Sequence, residues 1–160
     1  MLYAEANRRV TNWLASSGIE MESGKILDSR GCCFVSQGED NGFLIMLPPN
    51  QTTLYFIASL YTPDIHNDTN LLTYCLELNC LFLTYLQAVA IGLDAENRKL
   101  ILRSAHPLRN ESEAELDAWL HGFSEKAAKI REQIKLFFHS AKAKPSRPIT
   151  EGKELHITMM

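Results

Sequence analysis

Residues 70–86, NLLTYCLELNCLFLTYL, constrain this chain more than any other stretch. The run has helical spacing, yet its apolar side chains point in every direction. Leu71, Tyr74, Leu78, Leu81 and Tyr85 share one face; Leu72, Cys75 or Leu76, Asn79, Phe82 or Leu83, and Leu86 share another. A helix that is apolar all round is buried on every side or sits in a membrane. Thr73, Glu77, Asn79 and Thr84 interrupt the run, whereas a membrane span wants about 20 mostly apolar residues. The expectation is a core helix with two covered faces and no membrane insertion. A single sheet covers only one of them. Leaving several Leu and Phe side chains in water forgoes about 1.5–3 kcal/mol each, and large exposed apolar patches mark interaction sites. The simplest cover is a second copy in a two-fold dimer, with Leu72, Leu76, Asn79, Phe82, Leu83 and Leu86 at the interface. The alternative is that another helix of the same chain covers that face.

The flanking sequence supplies the sheet. Leu2–Ser17 reads as an amphipathic helix: Leu2, Ala6, Val10, Trp13 and Leu14 lie on one face, Glu5, Arg8, Arg9 and Asn12 on the other, and Gly18 stops it. GCCFVSQG (31–38), FLIML (43–47, stopped by Pro48 and Pro49) and TLYFIASLY (53–61) read as three strands of an antiparallel meander. Asn41-Gly42 is a hairpin signal between the first two. Ile26 and Leu27 are expected to add a short lead-in pairing. Asp68 or Asn70 is placed to cap the apolar helix. Residues 88–93 form a short strand, Asp94–Asn97 a turn and Arg98–Ala105 a further strand closed by Pro107.

The last helix is expected to begin at Asn110, which has capping-box spacing with Glu113. Leu116, Trp119 or Leu120, Phe123, Ala127, Ile130, Ile134 and Phe137 form its stripe. Acidic residues early and basic residues late complement the helix dipole. The order is α-β-β-β-α-β-β-α. The fold class is therefore α+β: a twisted antiparallel sheet packed by three helices, homodimeric. Residues 1–139 form the domain. From 140 to 160 the composition turns polar with two prolines, which predicts a disordered tail, although it ends in the apolar stub LHITMM.

Little in the sequence points to chemistry. The 160 residues carry a net charge of −3, so the strongly basic face of a nucleic-acid binder is not expected. The N-terminus lacks a basic segment followed by an apolar core, so no secretory signal is read there. Cys32, Cys33, Cys75 and Cys80 have no metal spacing and read as free thiols in a reducing compartment. No phosphate loop, dinucleotide fingerprint or nucleophile elbow is present. His121 and Glu125 read as a solvated i,i+4 pair. No cofactor, no metal and no catalysis are expected. A small enzyme, whose groups meet only in space, is the third-ranked reading.

Four features give the chain a family likeness. They are the amphipathic first helix ending in SSGI, the strands GCCFVS, FLIML and TLYFIASL, the block LELNCLFL...AIGLDAENRKLILR, and a final helix with an aromatic at Phe123. In the third feature, a leucine-rich helix with a central Asn leads to a hairpin, through Leu76, Leu78, Asn79, Leu81, Gly92, Leu93, Asp94, Leu100 and Leu102. Over residues 1 to about 138 the chain resembles the class I chaperones of bacterial type III secretion, the Tir-chaperone (CesT-like) family.

The resemblance implies a small cytoplasmic bacterial homodimer. It would bind the N-terminal region of one or more effector proteins in extended form and keep it secretion-competent. The effector would add strands to sheet edges and lay apolar side chains into grooves. The resemblance places effector contacts on the first helix and first strands: Leu2, Ala6, Val10, Cys33, Phe34 and Val35. By alternation, Cys33 and Val35 share one strand face while Cys32 and Phe34 share the other, and the sequence leaves open which is free. The secretion ATPase is admitted as a further partner. The alternative function is a regulator of the same fold that sequesters a transcription-control protein. The pI of 5.9 is less acidic than in many members, and the tail is longer than a minimal member needs.

Overall fold

The expected order of elements is the observed one. The computed structural model describes residues 1–17, 26–36, 42–63, 68–84 and 88–143, with side chains to residue 82 in the fourth stretch and to 138 in the last. Helix α1 spans Tyr3–Ser16, β1 Cys32–Val35, β2 Phe43–Met46, β3 Thr53–Tyr61, α2 Thr69–Thr84, β4 Val89–Asp94, β5 Lys99–Pro107 and α3 Glu113–Ala143. The strands form one antiparallel sheet in the order β1-β2-β3-β5-β4. Helix α2 carries the chain from β3, past β5, to the far edge.

The register sorts the side chains into two sets. Val35, Phe43, Ala58, Leu102 and Ile91 stand side by side across all five strands, and Cys33, Ile45, Phe56 and Ser104 form a parallel row across four. Both rows are buried. The three helices close over them. Ala6, Val10, Trp13 and Leu14 of α1, Leu71, Cys75, Leu78 and Phe82 of α2, and Leu116, Leu120, Phe123, Ala127, Ile130 and Ile134 of α3 join the same core. The Phe123 ring meets those of Phe43 and Phe56 at 5.9 and 5.6 Å. Trp13 is fully buried yet satisfied: its Nε1 donates to Asp117 Oδ1 at 2.7 Å, joining α1 to α3.

Polar side chains fix the ends of the elements. Asp28 Oδ1 accepts from the N–H groups of Arg30 and Cys32, both at 2.8 Å, while its own N–H donates to the Cys32 carbonyl at 2.9 Å. The bond from Cys32 is the main cause holding the Asp28 carboxyl below its usual range. Gly31 takes φ +76°, and its carbonyl accepts from Leu47 N–H at 2.8 Å. Asp68 immediately precedes α2, its carbonyl accepting from Leu72 N–H at 3.0 Å, whereas Asn70 lies inside the helix.

Three local expectations are corrected. The last helix begins at Glu113, later than Asn110, and its capping box is Ser112 with Glu115: Ser112 N–H donates to Glu115 Oε2 at 2.7 Å, and Glu115 N–H donates to Ser112 Oγ at 3.3 Å. The reason is that β5 runs on through Pro107 and Leu108 is buried, so the chain is not free to turn until later. Ile26 and Leu27 form no strand; they pack half-buried against the core. His121 Nδ1 meets the Asp117 carbonyl at 2.8 Å, one turn back, in place of the expected Glu125 pairing. Asn41 of the hairpin signal, and residues 144–160 of the expected tail, lie outside the described residues.

Candidate functional site

The helices cover one face of the sheet; the other carries its own apolar rows. Phe34, Leu44, Ile57, Arg103 and Ala90 stand in register across all five strands, and Cys32, Met46, Tyr55 and Ala105 across four. Leu44, Met46, Tyr55 and Ile57 are half-buried, whereas Phe34 is 43% exposed at the β1 end of its row. The Arg103 guanidinium lies over the Tyr55 ring, 4.4 Å from its centre. An open sheet face more commonly alternates to polar residues; here one end is aromatic and aliphatic, and charge enters on the last two strands, at Arg103 and Lys99 of β5 and Asp94 of β4.

A groove of about 990 Å³ continues from this face around the end of the sheet. Phe34, Leu44, Ile57 and Ile101 line it on the sheet side, and Ile134 and Phe138 of α3 on the other. That volume is at the upper end of the range for ligand pockets and accommodates several side chains. Arg131 sits on its wall and is buried; its Nε donates to the Ser59 carbonyl at 2.9 Å and its Nη2 to the Gly42 carbonyl at 3.1 Å. Both carbonyls belong to chain ends at the groove, where β3 is about to bulge and β2 is about to begin. Gly42 permits the close approach of Phe34: a Cβ there would stand 2.4 Å from the ring Cζ.

The second apolar surface is on α2. Leu76 is 66% exposed and Leu81 50% exposed. Leu93, also exposed, is on β4, the strand against which α2 packs.

The residues expected from sequence divide between these surfaces and the core. Leu2 and Phe34 are exposed. Ala6, Val10, Cys33 and Val35, expected among the partner contacts, are buried in the core of the single chain. The cause is simple: α1 has one apolar face, and folding uses it. On α2, Leu76 is exposed and Leu72 half-buried. Phe82 follows Leu71, Cys75 and Leu78 on the core stripe. Asn79 turns towards β4 and hydrogen-bonds Ile91. The side chain of Leu83, and Leu86 altogether, lie outside the described residues. Sequence reasoning missed Leu44, Ile57 and Ile101. The signal was present: they alternate with Phe43, Ile45, Phe56, Ala58, Leu100 and Leu102, whose burial leaves them on the opposite face.

This surface is suited to binding. Burial pushes the thiols of Cys33, Cys75 and Cys32 up, away from the reactive thiolate. Among the described residues no group of three or more His, Cys, Asp or Glu side chains can hold a metal ion, and no helix is long and apolar enough to cross a membrane. What the apolar rows and groove can do is hold apolar side chains of an extended segment.

Comparison with known proteins points the same way. Residues 22–131 match the Tir chaperone protein (CesT) family. No curated protein matches the sequence. Among solved structures, the fold is similar to that in the ExsC–ExsE complex, with a TM-score of 0.65 at 16% identity over 82% of this chain and 95% of that one. It is also similar to that in the HopA1–SchA chaperone–effector complex, with a TM-score of 0.58 at 16% identity over 81% and 94%. A third likeness is to the heterodimeric ExoU–SpcU complex from the type III secretion system of Pseudomonas aeruginosa, with a TM-score of 0.55 at 15% identity over 77% and 95%. At these identities the likeness is one of fold.

Proposed function

Since this chain belongs to the Tir chaperone protein (CesT) family, we propose that it is a type III secretion chaperone. It binds the N-terminal region of one or more effectors in extended form and keeps that region secretion-competent in the bacterial cytoplasm, without catalysis. The observation that carries the reading is the open sheet face, where Phe34, Leu44 and Ile57 lie in one row beside the groove. An extended segment alternates its side chains, so every second one can enter such a row. Burying them removes apolar surface from water on both partners.

The working unit in this proposal is a homodimer formed through α2. Among the described residues, Leu76 and Leu81 are the large apolar side chains that α2 leaves in solvent, and Leu93 adds to them from β4. Pairing two such surfaces about a two-fold axis covers both at once. Asn79 and Phe82 belong to this interface only indirectly, by holding α2 in place. The secretion ATPase stands as a further proposed partner, after effector loading.

The test is capture of partners from the producing cells, followed by limited proteolysis. One larger protein, protected over a stretch of its N-terminal region, is the expected result. Phe34→Asp and Ile57→Asp should lose that protection while leaving the melting temperature nearly unchanged. Retention of nothing by the folded wild-type chain, or protection indifferent to both substitutions, would refute the surface assigned. Sedimentation of Leu76→Glu checks the dimer: a shift to monomer is expected, and an unchanged mass removes α2 from the interface.

A further inference from the structure

The groove lies where α3 delivers the rest of the chain. Ile134, Lys135 and Phe138 form its α3 wall, and α3 ends at Ala143, about 7–8 Å of helix beyond Phe138. Residues 144–154 follow, polar and with Pro145 and Pro148, and then Leu155-His156-Ile157-Thr158-Met159-Met160. Leu155, Ile157 and Met159 alternate with His156 and Thr158, the two-residue period of an extended segment. The intervening eleven residues reach at most ~36–40 Å when extended, ample for the segment to turn back onto the groove. The sheet side of the same groove is lined by Leu44, Ile57 and Ile101, all half-buried.

We propose that Leu155–Met160 occupies this groove in cis, as an internal ligand that a partner has to displace. Three alternating apolar side chains meet a groove with apolar residues on both walls, and burial removes both from water. The tether keeps the segment at a high effective concentration, in the millimolar range for a short linker, so even a weak contact is populated. Partner binding then becomes an exchange: a segment that fills the groove better wins, and a poorer one is refused. The proposal rests on the preceding reading only in taking the groove as the partner's site; the occupancy itself is independent of what that partner is.

The experiment compares isoleucine methyl NMR spectra of the full chain, a chain ending at Glu154, and full-length Ile157→Asp. Among the described residues the last to join the core are Ile134 and, packed against it, Phe137 and Phe138, and a chain ending at Glu154 keeps them all. Expected are shifts at Ile57, Ile101 and Ile134 in the shortened chain, the same shifts in Ile157→Asp, and no dependence on protein concentration. Acetylated LHITMM peptide added to the shortened chain should move those signals back towards their full-length positions, and should move them less in the full chain. Identical groove signals in all three proteins would overturn the proposal. Shifts that appear only as concentration rises would place the segment in another copy, overturning it equally. Neither failure touches the chaperone reading, which partner capture tests separately.

Discussion

The side chain of Asn79 is hydrogen-bonded to both backbone groups of Ile91: its Oδ1 accepts from the N–H at 2.7 Å and its Nδ2 donates to the carbonyl at 2.8 Å. One amide on α2 thereby does for the middle of β4 what a neighbouring strand would do. It also fixes how α2 lies on the sheet, which decides that Leu78 and Phe82 point inward while Leu76 and Leu81 point outward.

Replacing Asn79 should therefore cost more than its half-buried position suggests. Asn79→Leu leaves two backbone groups without partners, a loss of roughly 2 kcal/mol or more. Asn79→Asp keeps the acceptor and, at neutral pH, loses the donor, so it should fall between. Urea denaturation of the three proteins orders them; an Asp variant as stable as wild type would show that the Ile91 carbonyl bond contributes nothing.

Gly31→Ala should be among the most damaging small substitutions. The residue has φ +76°, and a Cβ would stand 1.9 Å from the Leu47 carbonyl oxygen, which is backbone and cannot swing away. The β1–β2 junction must open, at an expected loss of roughly 3 kcal/mol or more. Thermal unfolding measures it, and a near-native melting temperature would contradict the geometry.

Arg131 is a clamp between α3 and the sheet. Arg131→Met keeps the bulk but abandons the Ser59 and Gly42 carbonyls, for an expected loss of roughly 2–4 kcal/mol. Arg131→Lys should recover only part, because a single ammonium lacks the fork that reaches both oxygens. Equal stability of the Lys variant and wild type would mean that one bond suffices.

Gly42→Ala tests the surface more than the core. The added methyl meets the far end of the Phe34 side chain, so the ring must move. Stability should fall by less than about 1 kcal/mol, while affinity for the partner found by capture falls clearly. Unchanged affinity by calorimetry would mean that the Phe34 position does not matter to binding.

His106 gives the fold a pH dependence. Its ring stacks on Trp119 at 4.4 Å and its Nε2 meets Ser104 Oγ at 3.2 Å. Burial pushes its pKa below the ordinary value of 6.5. The folded state then binds fewer protons than the unfolded state in this window, so stability rises with pH. The contribution is complete above the unfolded value and is lost as pH falls through it towards the folded one. Urea midpoints should drop between pH 7.5 and pH 5.5, and drop less in His106→Gln. An identical pH slope in both proteins would assign the effect elsewhere.

Much of this architecture can be read in the sequence because two periods are clean. TLYFIASLY became β3 from Thr53 to Tyr61 as read, and the stripe of α3 is the core stripe. What alternation cannot give is the sign of a face. Cys33/Val35 and Cys32/Phe34 are equally apolar, and only the register with β2 and the helices overhead decide that the first pair is inside. The apolar helix was ambiguous for a similar reason. With apolar residues at nearly every position, several stripes fit the sheet, and the chosen one, Leu71-Cys75-Leu78-Phe82, combines members of both faces drawn from spacing alone. Its orientation is set by the Asn79 contact, which depends on a strand twelve residues away. Ser112 and Asn110 both precede a Glu by three positions, and the length of β5 selects between them.

Asp28 at Cys32 and Asn79 at Ile91 sit at opposite borders of the sheet, each holding both the N–H and the carbonyl of one outer-strand residue. A further strand pairing at Cys32 or at Ile91 would first have to break these bonds. A protein with this much uncovered leucine and phenylalanine would otherwise be at risk of growing into ribbons when abundant. Asp28 and Asn79 oppose that growth at the borders, where contacts would propagate, and favour association through faces, where contacts are finite and reversible.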